Sequence, residues 1–230
     1  GDLGPRDGYT GETALADRNG RQVGYAALSA LESLGPPRTD HEYCGPLISG
    51  ATLAVWQHVP WSANRGEQVR RFAGGASMVA VPIKPKPDAS ALQEQMASWR
   101  VQAADAEARG DAATARDCSA YAERLRRLLH RLEGFPSGSA YYLHWSAYRL
   151  GDALWVTCGG EPYNLLQREL RRLFPRDIVL VSPLAGDPQV SYMLSADRYG
   201  LGLYQEEASI LAPGCLEAVI EAMAGAMGAL

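Results

Sequence analysis

The sequence is poor in the residue patterns that mark several common classes of protein. Its 230 residues include four cysteines and four histidines, and none of them forms a CxxC, HxH or HExxH motif. Residue spacing alone therefore predicts neither a zinc finger nor a histidine-based metal site. Most of the cysteines are expected to be buried free thiols, and two distant disulfide bridges in an exported protein are the alternative.

Long apolar runs and a strong net charge are also missing. No apolar run approaches the length of a membrane span, and no secretory signal is visible. The formal charge is −4, with acidic and basic residues mixed along the chain, so the sequence predicts no binding to nucleic acid. The motifs of P-loop, dinucleotide-binding and GxSxG proteins are absent. Localisation stays open between the cytoplasm and export within a longer precursor.

The order of apolar and polar residues predicts an α/β fold, a mixed sheet with flanking helices, in one domain over residues 1–230. Helical spacing predicts helices over 11–34, 162–174 and 215–227. Residue composition predicts strands over 51–59, 77–83, 139–150, 153–158, 178–182 and 190–194, with a loop over 40–50 and a turn at Gly186 to Pro188. The short links around helix 162–174 predict that strands 153–158 and 178–182 are parallel neighbours.

Residues 88–133 differ from the rest because their apolar residues recur at alternating steps of three and four. Gly110-Asp111 separates two such segments, as a helix stop followed by a helix N-cap. This pattern predicts a projecting antiparallel helical hairpin. It could serve as a lid or as an arm that joins copies into a homo-oligomer, or it could be an insertion that packs on its own domain. The two apolar series are Leu92, Met96, Trp99, Ala103 and Ala106, then Ala115, Cys118, Ala122, Leu125, Leu129 and Leu132.

Three places concentrate groups that could carry chemistry. Glu161 follows an apolar strand and a Gly-Gly turn, where α/β proteins often bind ligands. An acid at a helix start is the alternative, favoured when the residue is taken alone, because it complements the helix dipole. The segment Gly1 to Pro5 resembles a functional loop, and Ser191 to Ser209 is rich in tyrosine. For these tyrosines, partial burial with the hydroxyl at the surface is the alternative to a functional role.

Taken together, these segments form a pattern. Gly160-Glu161-Pro162 follows a strand and precedes a helix and a second strand, and Ala185 leads to Tyr192. A second tyrosine, Tyr199, follows seven residues later and a third, Tyr204, twelve residues later, before Ala208-Ser209. This resembles the end of the catalytic domain of neutral/alkaline non-lysosomal ceramidases and their bacterial relatives. The opening GDLGP is similar to the family's Gly-Asp-x-Ser-Pro segment, while the hairpin lies outside the shared pattern.

The resemblance implies a zinc-dependent hydrolase that cleaves an amide or related acyl bond. Glu161 and Tyr192 would be ligands of a catalytic zinc ion, together with two histidines. Tyr204 would act in catalysis by hydrogen bonding to the amide carbonyl of the substrate. Asp2, Gly4 and Tyr199 would contact the substrate, a small or lipid-like amide.

Two differences from the family pattern shape the expected mechanism. The family's histidine ligands lie before the Gly-Asp-x-Ser-Pro segment, and this chain begins inside it, as a processed product or a piece of a longer polypeptide would. An upstream segment or a second chain is therefore expected to supply them. Gly4 stands where the family has serine, so metal-activated water is expected to attack directly. The alternative is a non-catalytic binding or assembly subunit that keeps the scaffold.

Overall fold

A computed structural model describes residues 1–186 and 190–230, so most of the turn predicted at Gly186 to Pro188 lies outside the described residues. The helices are α1 (Thr13–Glu32), α2 (Ala63–Val69), α3 (Ala89–Ala108), α4 (Ala112–Leu132), α5 (Leu165–Leu173), α6 (Tyr204–Ala208) and α7 (Cys215–Gly228). The strands are β1 (Thr39–Ser49), β2 (Ala51–Pro60), β3 (Phe72–Pro82), β4 (Ala140–Leu150), β5 (Ala153–Cys158), β6 (Glu161–Pro162), β7 (Ile178–Ser182) and β8 (Tyr192–Met193). Within these ranges, no helix is both long and apolar enough to cross a membrane.

A mixed sheet of four strands forms the centre of the fold, in the order β3-β4-β5-β7. Strands β3, β4 and β5 are antiparallel neighbours, and the tight turn at Gly151-Asp152 joins the last two. Strand β7 runs parallel to β5, with Ala153 opposite Ile178. The predicted α/β fold class and the predicted parallel pair are therefore confirmed.

Helices α5 and α7 pack against the sheet and complete the core. Alternate residues of β5 are buried, which matches the period of two expected for a strand. Each large apolar side chain that is fully buried here stabilises the fold by about 1.5–3 kcal/mol. The fully or almost fully buried residues of α7 are Cys215, Leu216, Val219, Met223 and Met227.

The helical hairpin is confirmed as α3 and α4, which pack along each other. Asp111 begins α4 as its N-cap, and its Oδ1 accepts a hydrogen bond of 3.1 Å from the backbone N–H of Thr114. The Trp99 and Tyr121 rings stack between the helices, with centroids 4.7 Å apart. The small buried residues of the hairpin, which are Ala103, Ala106, Ala115, Cys118 and Ala122, form a cluster separate from the main core.

The amino-terminal third contains one error of prediction. Residues 40–50, expected to be a loop, form strand β1, which pairs with β2 in a two-stranded antiparallel ribbon. The register shifts between Tyr43 and Pro46, and the exposure of both faces removes the alternation by which a half-buried strand is recognised. Helix α1 has the predicted bounds within two residues, but it has no buried residue, and its apolar stripe is exposed at Val23, Leu28 and Leu31.

The start of α5 is the second error. The helix was expected from residue 162 but begins at Leu165, and Pro162 lies in the short strand β6. The reason is that the backbone N–H groups of Glu161 and Tyr163 donate to Ser191 and Met193 on the neighbouring β8 segment. Glu161 therefore precedes the first turn of the helix, and the explanation of Glu161 as a helix-start acid loses its basis.

Candidate functional site

Parallel pairing of β6 with β8 places Glu161 directly beside Tyr192. The N–H of Glu161 donates to the carbonyl oxygen of Ser191 over 2.6 Å, so the two chain segments approach closely. Gly160 has a φ of +68°, and a Cβ atom on it would lie 2.7 Å from the Ser191 oxygen. Ser191 itself has a φ of +56°, an uncommon conformation for a residue other than glycine and one that is often found at functional sites.

The Tyr192 side chain is partly buried, and burial is the main cause that raises its pKa above the usual value. The negative charge of Glu161, on the neighbouring strand, raises the pKa further. The backbone of Tyr192 is held as well, since the Ser209 hydroxyl donates to its carbonyl oxygen over 2.6 Å. Glu161 and Tyr192 thus form a pair of residues on neighbouring strands, with their backbones held in place and an oxygen-bearing side chain on each.

Tyr204 lies next to this pair at the first position of α6. Its ring meets the Tyr192 ring edge to face, with centroids 6.0 Å apart. Cations hold the carboxyl end of the short helix. Lys84 Nζ donates to the carbonyl oxygens of Glu206 and Ser209, and Arg131 Nη1 donates to that of Ala208 over 2.8 Å. These bonds fix the helix that presents Tyr204 beside Tyr192.

The first residues of the chain also contact the chain around β6. The backbone nitrogen of Gly1 donates to the Pro162 carbonyl oxygen over 2.7 Å. Asp2 accepts a hydrogen bond of 2.6 Å from the backbone N–H of Asn164, just before α5. A Cβ atom on Gly4 would lie 3.2 Å from the hydroxyl of Tyr9. Gly1 and Asp2 therefore meet the chain around β6, where Asp2 supports the backbone, whereas the neighbour of Gly4 is Tyr9.

Tyr199 is placed differently from the other predicted residues. Its hydroxyl lies 3.2 Å from the carbonyl oxygen of Leu211, to which it donates, and 3.4 Å from Cys215 Sγ. Burial raises the pKa of this phenol, so it stays protonated. The hydroxyl is neither at the surface, as one alternative expected, nor engaged with Glu161 or Tyr192. A substrate contact by Tyr199 stays a prediction.

A metal centre at Glu161 and Tyr192 needs further ligands. Among residues 1–186 and 190–230, no group of three or more His, Cys, Asp or Glu side chains is arranged to hold a metal ion. His41 and His58 stack on the β1–β2 ribbon, 4.9 Å between centroids, and His130 contacts Glu133 on the hairpin. Catalytic zinc normally has three protein ligands. The adjacent carboxylate and phenol fit part of a zinc site, which histidines from elsewhere would have to complete.

Sequence reasoning missed the residues that position the predicted ones. Lys84 and Arg131 hold α6, and Ser209, noted only as part of a motif, holds the backbone of Tyr192. Two signals in the sequence could have found them. Lys84 is a cation directly after an apolar strand, and Arg131 ends a series of arginines near the end of the second hairpin helix. Comparison of the chain with protein-family models, with curated proteins and with solved structures found no match in any of the three.

Proposed function

We propose that this protein is a zinc-dependent hydrolase of an amide or related acyl bond, similar to the ceramidases. Its metal site is completed by histidines on an upstream segment or a second chain. The observation that supports the proposal best is the arrangement of Glu161, Tyr192 and Tyr204. The first two are register neighbours on paired strands, and the third has its ring against Tyr192.

Each of the three side chains has a separate role in this proposal. Glu161 and Tyr192 would hold the zinc ion by their oxygen atoms. A bound zinc ion would supply a Lewis acid that polarises the amide carbonyl and lowers the pKa of a water molecule. The Tyr204 hydroxyl donates a hydrogen bond to the carbonyl oxygen, a contact that strengthens as negative charge develops there. Its neighbour Tyr192 and the bonds that hold α6 keep Tyr204 oriented for this contact.

The opening segment borders the reacting group without supplying a nucleophile. Gly4 has no hydroxyl, so no acyl group is transferred to that position, and the oxygen added to the product acid comes from solvent. Asp2 accepts from the backbone of Asn164, and one of its oxygens remains for a contact with the substrate amide or a hydroxyl.

The experiment compares the 230-residue chain alone with the same chain supplied with its upstream segment. We expect the isolated chain to bind zinc poorly and to hydrolyse N-acyl amides slowly, and the completed protein to regain both properties. Hydrolysis in ¹⁸O-labelled water should place the label in the product acid, while intact-mass analysis shows no acyl adduct on residues 1–8. Tight zinc binding with full activity by the isolated chain, or a stable adduct there, would contradict the proposal.

A non-catalytic binding or assembly subunit is the second candidate function. The observation that favours it is the exposed apolar surface of the amino-terminal third, where α1 has no buried residue and Trp56 of β2 is 56% exposed. Zinc content and product release, measured on the completed protein, distinguish the two candidate functions. An assembly subunit would form a stable complex with its partner but would contain no zinc and would release no product acid.

A further inference from the structure

A cleft between α4 and α6 lies beside Tyr204 and has no role in the chemistry described so far. Its volume is about 160 Å³. An engineered protein cavity of about 150 Å³ accommodates one benzene molecule, so this cleft is large enough for a group of that size. Every lining residue comes from the two helices: Arg124, Leu125, Arg127, Leu128, Arg131, Tyr204, Glu207 and Ala208.

The lining combines an apolar wall with a cationic rim. Leu125 and Leu128 project from one turn of α4, and Ala208 faces them from α6. Arg124, Arg127 and Arg131 follow at steps of three and four along the same face of α4, which places their guanidinium groups on one side. A ligand in this cleft would therefore meet an apolar surface and arginine side chains together.

The arginines keep hydrogen-bonding capacity for a ligand. Each guanidinium carries five N–H donors. In the described part of the chain, Arg131 uses one nitrogen to bond the Ala208 carbonyl oxygen, and Arg127 uses Nε to bond Glu123. Arg124 lies over the Tyr204 ring, with Cζ 5.3 Å from the ring centroid. Its Nη1 atom lies 3.8 Å from Glu207 Oε2.

The charges of the lining favour an anionic ligand. Three arginines face the cleft, and Glu207 in the lining offsets one of their charges. Glu123 is shared between Arg127 and Arg126, which lies outside the lining, so it offsets the charge of Arg127 only in part. The lining therefore keeps a net positive charge that attracts an anion, while the Glu207 carboxylate would repel a second negative charge on the ligand. A planar carboxylate also matches the fork of an arginine, which can bind both of its oxygens.

We propose that this cleft binds a carboxylate carried on an apolar group, and that the substrate of the hydrolase bears such a group close to its scissile amide. Tyr204 connects the cleft with the Glu161–Tyr192 pair, since its ring meets the Tyr192 ring edge to face and lies beneath the Arg124 guanidinium. The hairpin thereby gains a role in substrate selection. Assignment of the bound group to the substrate rests on the proposed hydrolase function, whereas binding of a carboxylate to the cleft does not.

The test uses benzoate as the probe, with the neutral analogue benzyl alcohol and inorganic phosphate as comparison ligands. Titration of the ¹⁵N-labelled 230-residue chain should give saturable benzoate shifts in the amides of α4 and α6. Arg124→Gln and Arg127→Gln should each weaken benzoate about tenfold, or about 1.4 kcal/mol. Glu207→Gln should tighten it by removing the opposing charge. The control Arg116→Gln alters an exposed arginine of the same helix outside the cleft and should have no effect.

Three results would overturn the inference: equal affinity for benzyl alcohol and benzoate, tighter binding of phosphate than of benzoate, or no effect of the two arginine variants. Failure of the hydrolase proposal is separate, because it would leave benzoate binding intact in a protein without activity. If the completed protein is active, the KM of an N-acyl substrate with a free carboxylate should be lower than that of its methyl ester. Equal KM values would show that the substrate needs no carboxylate, and they would not contradict the hydrolase proposal.

Discussion

Glu161 and Tyr192 are register partners on two paired parallel strands, although helix α5 and strand β7 separate them in the sequence. The contact depends on backbone hydrogen bonds rather than on the two side chains, because Glu161 N–H donates to Ser191 and Tyr163 N–H donates to Met193. Replacement of either side chain should therefore leave the strand pair in place. Mutagenesis can therefore test the chemical role of each side chain without disrupting the fold.

The first prediction concerns the two expected zinc ligands. In the protein completed by its upstream segment, Glu161→Gln and Tyr192→Phe should each lower zinc affinity by about tenfold or more, equivalent to about 1.4 kcal/mol. The double variant should lose less than the sum, since both oxygens act on one ion. Competition with a chromogenic chelator measures the affinities, and circular dichroism checks the fold. Full zinc occupancy in both single variants would refute the ligand assignment.

The second prediction concerns Gly160, which has a φ of +68° and would direct a Cβ atom to within 2.7 Å of the Ser191 oxygen. Gly160→Ala should reduce the free energy of unfolding by more than the roughly 1–2 kcal/mol of left-handed backbone strain, because the β6–β8 pair must also separate. Gly202→Ala is the matched control, with a φ of +69° and no atom near the added methyl group. Urea denaturation measures the free energy of unfolding of both variants. Equal decreases would mean that the contact of the added methyl group with Ser191 does not destabilise the protein.

The third prediction concerns the hairpin. Replacement of residues 88–133 by a short Gly-Ser link should leave a folded protein, because β3 and β4 pair up to Pro82 and Ala140 and so hold the cut ends close together. The free energy of unfolding should fall by about 2 kcal/mol with the loss of the Arg131 bond to Ala208. Benzoate binding should disappear. A chain without a cooperative thermal transition would show that the hairpin belongs to the core.

The fourth prediction concerns the cysteines, all of which are free thiols in the described structure. Cys44 is exposed, while Cys118, Cys158 and Cys215 are buried. Burial raises the pKa of the Cys158 thiol to about 12, so at pH 8 almost none of it is the reactive thiolate. The native protein should release one equivalent of chromophore from a disulfide reagent within minutes, and the unfolded protein four. Cys44→Ser should abolish the fast reaction; its persistence would indicate that a buried thiol is accessible.

The sequence was sufficient for the elements whose patterns are local. The two apolar series of the hairpin and the parallel neighbours β5 and β7 could both be predicted. In each case the period of the side chains or the length of the link leaves one arrangement. The same reasoning failed for β1, because a ribbon exposed on both faces carries no alternation of apolar and polar residues.

The tertiary structure alone decided what surrounds the candidate site. Nothing local in Glu161-Pro162 distinguishes a strand from the first turn of a helix, since the choice depends on partners thirty residues away in β8. The contact of Tyr204 with Arg124 likewise joins α6 to a hairpin that is distant in sequence. Sequence patterns report the spacing of residues along one element. Hydrogen bonds and ring contacts between elements depend on packing, which brings distant parts of the chain to the same place.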